Sequence, residues 1–387
     1  MHIIYTLASG SLLLLAFLTF TNPRNVNKKA NHWLGVFLFS FACLLLDRVL
    51  PDTAIYKKYP HLLGLTELTR FAMAPSLYMG VVYFTYPDRK FHRKDLLHFI
   101  PCLLFLFYII PFFLHTAEEK RAILAGHFPL PNALTALIGR CMFYAIKIQI
   151  ILYWVAAYIR LRRHQQNVQL FASNIGNIGL GWMRYFLLSL VSLIFLWFNE
   201  LFFHIQPLIA LTPWLFLVAV YCISYFSLRQ PEIFDFPEPE VVEIRQIIQE
   251  QVQDKKAVLP RIAADQMQPL KDRLYQLMHL EKMYLEAELG LPDLAKRMKL
   301  SSHELSYLLN EGLGKNFFQF INEYRVEEAK RLLLSDQHRH LNMLGIAYEA
   351  GFSSKTTFNT TFKKVVGQSP SQFVQAHTTQ HLKEALE

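Results

Sequence analysis

Acidic residues are scarce in the first 228 positions, where 8 Asp and Glu stand against 19 Lys and Arg; the whole chain of 387 residues carries 30 against 39. A positive excess confined to the front half points to a membrane surface rather than nucleic acid as its partner. Cysteine is sparse too. Cys43, Cys102, Cys141 and Cys222 each fall in a separate apolar run with no CxxC pair and no metal-ligand spacing, so buried, inert thiols are expected. The chain has no GxGxxG, P-loop, HExxH or nucleophile elbow, which removes the signatures of nucleotide-dependent, metalloprotease and hydrolase chemistry. No kinase-like or receiver-like segment occurs, so a phosphorelay step needs another protein. His338 and His340 flank Arg339 in a loop-like stretch and read as solvated. An enzyme, a metal and a cofactor are therefore not expected.

What the front half does have is long hydrophobic runs. Seven segments have spanning length: Ile3–Thr21, His32–Leu50, Leu62–Tyr86, Leu96–His115, Leu134–Ile159, Met183–Ile205 and Leu208–Leu228. Trp33, Trp154, Trp182 and Trp214 fall near the ends of these runs, where an interfacial belt places them. The first run has no positive stretch before it and no small-residue cleavage site after it, so it reads as a retained anchor. Seven crossings with a cytoplasmic C-terminus put the N-terminus outside. Loops one, three and five then lie inside and carry ten Lys and Arg, Arg24 through Arg163, against four in loops two and four. The charge distribution satisfies the positive-inside rule. The expected location is a bacterial cytoplasmic membrane.

Ionisable residues within spans are expensive in hydrocarbon and face a bundle interior or a watery cavity. Glu67, Arg70, Arg140, Lys147 and Glu200 are such residues. Glu67 and Arg70, three apart, can pair on a helix. Together the five are candidates for a cavity open to the outside that takes an unknown small-molecule or membrane signal; interhelical pairing that only holds the bundle is the plainer alternative.

Residues 229–268 form a connector. Pro231, Pro237 and Pro239 impose an extended exit from the bilayer, and Val241, Ile244, Ile248 and Val252 then recur at helical spacing. Residues 240–252 are thus a candidate homodimer seam, too short to be stable alone. Asp254–Gln268 is polar. A second amphipathic helix, near Pro269–Met283, presents Leu270, Leu274, Leu277 and Met278 to the domain that follows.

That domain, 269–387, contains an internal repeat. Ala295, Leu300, Ser301 and Ser302 recur 52 positions on as Ala347, Phe352, Ser353 and Ser354; Leu305, Leu309, Gly314 and Phe320 recur 53 on as Phe358, Phe362, Gly367 and Phe373. Each copy reads as a short amphipathic helix, a tight turn, a serine N-cap and a second helix with a polar outer face. In copy one that face is Ser302, His303, Glu304, Ser306, Tyr307 and Asn310; in copy two it is Ser354, Lys355, Thr356, Asn359, Thr360 and Lys363. Such faces suit the major groove of double-stranded DNA.

The stretch Leu291 to Ala376 resembles the AraC/XylS-type DNA-binding domain. Ile346-Ala347, Gly351-Phe352, Phe358, Phe362-Lys363-Lys364, Gly367, Pro370 and Phe373 carry the resemblance, and Asn322 to Leu333 looks like that family's long connecting helix. The resemblance implies two recognition helices entering successive major grooves. Thr357 and Phe373 depart from the commonest pattern. Neither face has an arginine, and over 291–376 there are 11 Lys and Arg against 8 Asp and Glu, a modest basic footprint.

The sequence therefore predicts an all-α chain: a seven-helix transmembrane bundle (1–228), the connector, and an all-helical domain with two helix-turn-helix motifs. The function expected is a membrane-bound, sequence-specific transcription regulator. The competing expectation is a membrane receptor or transporter whose C-terminal module docks protein.

Overall fold

The computed structural model describes residues 2–21, 27–87, 89–125, 127, 133–174, 179–228, 262–335, 338 and 340–384. Among them the fold is all-α, with one isolated bridge, Ala172 to Gly290, in place of any strand. The chain divides into two compact units, Met1–Arg162 with Leu180–Ile233, and Arg163–Gly179 with Phe234–Glu387.

The first unit contains α1 (His2–Phe20), α2 (Lys28–Leu46), α3 (Met73–Thr85), α4 (Ile100–Phe113), α5 (Ala133–Val168), α6 (Gly181–Phe198) and α7 (Gln206–Leu228). Among the described residues, six stretches are long and apolar enough to cross a bilayer: α1, α2, α4 with the 3-10 stretch before it, α5, α6 with the π turn after it, and α7. Leu104, Phe107, Ile148, Leu152, Phe195 and Val218 are exposed on their surfaces. An apolar exterior of that kind is stable against lipid and a liability in water.

The third expected span, Leu62–Tyr86, is not one helix. Its second half is α3, whose 13 residues extend about 20 Å, short of the roughly 30 Å hydrocarbon core. Its first half is a pair of 3-10 turns, Pro60–Leu62 and Leu65–Thr69, on either side of Gly64. Thr66 and Arg70 there both bond to Asp47 at the end of α2. Irregular backbone at such a place is tolerated when protein surrounds it, and α3 is buried along nearly its whole length. Cys43 is buried as expected, whereas Cys141 is exposed on the outer face of α5. A thiol is apolar enough to face lipid.

The second unit contains α8 (Ala264–Gln276), α9 (Leu291–Met298), α10 (Ser302–Tyr307), α11 (Phe317–Leu333), α12 (Met343–Glu349), α13 (Lys355–Val366) and α14 (Pro370–Glu384). α8 starts five residues before Pro269, and it buries Leu274 and, in the turn beyond, Met278, with Leu270 and Leu277 packed beside them. Residues 240–252, the candidate dimer seam, lie outside the described residues.

Two hydrophobic cores share α11. Phe317, Phe320 and Ile321 at its start join Leu294, Ala295, Leu305 and Leu309, while Val326, Ala329 and Leu332 join Ile346, Ala347, Phe358, Phe362 and Phe373. The first core also includes Val168, Phe171 and Ala172, from the end of α5 and the residues just after it.

Candidate nucleic-acid interface

Each repeat builds a helix-turn-helix by the same local rules. α9 ends at Lys299 and α12 is followed by Gly351, the equivalent positions of the repeat, and both are left-handed, with φ of 56° and 86°. Lysine pays steric strain there that glycine does not. Glycine is required at the second site for another reason: a Cβ on Gly351 would sit 2.4 Å from the Tyr284 carbonyl oxygen.

Ser301, not Ser302, caps α10. Its hydroxyl accepts from the Glu304 N–H at 3.2 Å, and the Glu304 carboxylate accepts from the Ser301 N–H at 2.8 Å. This capping box commits Glu304 to the helix end. Ser302 and Ser306 are buried against the first core, so two of the six residues expected on this face point inward. They are small enough to sit on a packed face. Tyr307 lies partly against the same core, and Asn310 donates to Ser306 Oγ at 3.3 Å. What α10 presents outward is a partly exposed strip of His303, Tyr307 and Asn310, with the exposed Glu311 beyond.

α13 matches the expected face more fully. Ser354 caps it, accepting from the Thr357 N–H at 3.2 Å. Lys355, Thr356, Asn359, Thr360 and Lys363 are all exposed, and so is Lys364. Phe358, Thr361 and Phe362 are buried beneath them. Lys355, Asn359 and Lys363 recur every four residues and form one row along the helix. The row has two ammonium groups for phosphates and an amide able to pair with an adenine edge.

The first unit brings together a different set. Arg48 and Glu200 make a two-pronged ion pair at 2.9 and 3.1 Å. Arg70 reaches Asp47 at 2.6 Å and Glu67 at 3.7 Å. Lys147 Nζ stands 3.6 Å from the centre of the Phe143 ring and 5.6 Å from that of Trp197. These charges line a cavity of about 510 Å³, together with Leu44, Tyr56, Leu63 and Ile146 among others. Glu67, Arg70, Lys147 and Glu200 are thus gathered; Arg140 is exposed and does not line the cavity. The sequence reading missed Asp47 and Arg48 because they close the apolar run of α2 and resemble ordinary span-end charges.

Comparison with known proteins bears on the C-terminal part. Residues 294–376 match a family described as a helix-turn-helix domain, and this domain is of the AraC type. An uncharacterized HTH-type transcriptional regulator of Staphylococcus aureus (strain COL) is 32% identical over 103 residues, covering 26% of this chain and 13% of the relative. The uncharacterized HTH-type transcriptional regulator YdeC of Bacillus subtilis (strain 168) is 26% identical over 110 residues, 28% of this chain and 37% of the relative. The chain thus spans well under half the length of either relative. No solved structure matches it. The C-terminal region is a helix-turn-helix DNA-binding domain of a kind found in transcription regulators.

Proposed function

We propose that the chain is a membrane-bound transcription regulator that reads a specific double-stranded DNA sequence with both helix-turn-helix units. The observation carrying this reading is the exposed row Lys355, Asn359 and Lys363 on a helix locked down by Phe358 and Phe362. The apolar exterior of the first unit supports insertion in a bacterial cytoplasmic membrane, and the basic stretches Arg89–Lys94 and Arg160–Arg163 support a cytoplasmic C-terminus. Residues 1–228, apart from 163–179, which group with the DNA reader, serve as sensor and anchor, 229–268 as connector with a homodimer seam at 240–252, and 269–387 as DNA reader. The test is selection from random duplexes by the full chain in phospholipid vesicles. A preferred site of about two helical turns, lost on changing Asn359 and Lys363 to Ala, is the expected result. Absence of any preferred sequence would favour a protein-docking module instead.

The signal enters the charged cavity of the first unit. Its lining has two donors without an acceptor among the described residues: Lys147 Nζ, which faces aromatic rings rather than a carboxylate, and the buried Arg70 Nε. Buried donors call for acceptors, so the ligand is an organic anion with an apolar body to lie on Phe143, Trp197 and Leu44. Octanoate, octyl phosphate and octylammonium added to the vesicles discriminate. The anions alone should raise the melting temperature, and Lys147→Met should abolish the effect; equal stabilisation by all three would count against the assignment.

A further inference from the structure

Residues 168–174, the end of α5 and the chain that follows it, belong to the first helix-turn-helix as firmly as that motif's own helices. We infer that they are a gate on the first helix-turn-helix alone, so that a signal acting on α5 controls one half of the DNA site while the other half is held constitutively. The inference rests on the regulator reading above.

Three observations carry it. The segment supplies core: Val168, Phe171 and Ala172 are each less than 5% exposed in the cluster that seats Leu294, Leu305 and Leu309. It also supplies caps. The Phe171 carbonyl accepts from the Leu291 N–H at 2.8 Å, and the Gln169 carbonyl accepts from the Phe318 N–H at 3.1 Å. Leu291 and Phe318 lie in the first turns of α9 and α11, whose N–H groups have no partner within their own helices. On the other side, the Ser173 N–H donates to the Leu289 carbonyl at 3.4 Å, completing the Ala172 to Gly290 bridge, and Ser173 Oγ donates to the same carbonyl at 2.6 Å.

Arg325 makes the docking specific. It is almost fully buried on α11, and its hydrogen bonds go to carbonyl and hydroxyl oxygens. Its Nε and Nη2 donate to the Tyr284 and Glu286 carbonyls, both at 2.7 Å, while Ser173 accepts from Nη1 through its carbonyl at 3.2 Å and from Nη2 through its hydroxyl at 3.0 Å. Asn322 Nδ2 donates to the same Ser173 carbonyl at 3.0 Å. Withdrawing the segment would leave buried donors of Arg325 and Asn322 without acceptors, and a slot where Phe171 had been. Both are costly, so docking is coupled to the integrity of the motif.

The consequence is one-sided. Among the described residues the second core draws only on residues between Val326 and Phe373, and none of residues 168–174 enters it. The chain enters the second unit at residue 163, leaves it after 179 and returns after 233. Residues 168–174 continue directly from α5, so a shift of that helix is passed to the first helix-turn-helix through covalent bonds.

The experiment uses the full chain in phospholipid vesicles, with Phe171→Ala and the milder Ser173→Ala compared by hydroxyl-radical footprinting on the selected operator. Asn359→Ala marks the half read by α13. Each segment variant should weaken protection of the opposite half, Phe171→Ala by about tenfold in concentration, with the α13 half unchanged. Limited proteolysis should show new cuts in 282–312 and none in 343–373. With the native cysteines changed to Ser, Ala172→Cys and Gly290→Cys should cross-link on oxidation, and the linked chain should protect both halves. Equal loss at both halves with both variants, no change with either, or failure to cross-link would each overturn the inference. If no preferred DNA sequence exists, the regulator reading fails by itself, and proteolysis still decides whether residues 168–174 gate the first helix-turn-helix.

Discussion

The two helix-turn-helix units are copies in geometry and opposites in chemistry. The second presents three exposed lysines and an asparagine over two buried phenylalanines, turns on a glycine, and builds its core from its own stretch of chain. The first turns on a strained lysine, buries two serines on its recognition helix, has Glu304 in its cap and the exposed Glu311 beyond, and borrows core residues from 120 or more positions upstream. Affinity for the phosphate backbone depends on cations, so on the proposed reading the second helix-turn-helix would be the holdfast. The first, weaker in charge and dependent on a borrowed segment, would be the part open to regulation.

Substitutions at matched positions sharpen this contrast. The largest effect is expected for Phe362→Ala, about 3–5 kcal/mol, with Leu309→Ala at about 2–5 kcal/mol in the first unit. Pulse proteolysis of the full chain in urea reads both. If Phe362→Ala exposes 291–312 as readily as 343–373, the two cores act as one and the contrast collapses. Next come the turns. Gly351→Ala should cost about 3 kcal/mol, because it adds left-handed strain to a clash with the Tyr284 carbonyl; Lys299→Gly should stabilise by about 1 kcal/mol. Destabilisation by Lys299→Gly would mean that the lysine side chain makes a contact outweighing its strain. The smallest effect is electrostatic. Glu311→Gln should tighten operator binding roughly two- to fivefold and Lys363→Gln should weaken it by a similar factor, measured by gel shift. If Glu311→Gln has no effect, that end of α10 does not approach the duplex.

The repeat made the two motifs legible in the sequence, since Ala295 and Ala347, Leu309 and Phe362 occupy equivalent packed positions. The row on α13 was equally legible, because each of its polar residues is in fact exposed. On α10 the same reasoning failed at Ser302 and Ser306: serine is small enough for either face of a helix, and polarity alone does not choose. The third span misled because averaging over Leu62–Tyr86 hides the Gly64 break and the inward turn of Thr66 and Arg70. The cavity was half legible. Glu67, Lys147 and Glu200 stand out as charges inside apolar runs, but the partner of Glu200 is Arg48, 152 residues away, which no local pattern signals. The stretch that follows α5 was illegible for the same reason. Gln169 to Asn174 has no periodicity, and its hydrogen-bond partners begin over a hundred residues later.

Arg325 has one further consequence. Burial pulls its guanidinium down to about 10, so it remains charged at neutral pH, and its hydrogen bonds go to carbonyl and hydroxyl oxygens rather than a carboxylate. Dissolved salt screens exposed charges over distances near 10 Å at 0.1 M but scarcely reaches a dry interior. Raising ionic strength should therefore strip the lysines of α13 from phosphates while leaving the domain folded. The steepness of binding against salt then counts phosphate contacts in the native domain, uncontaminated by its melting.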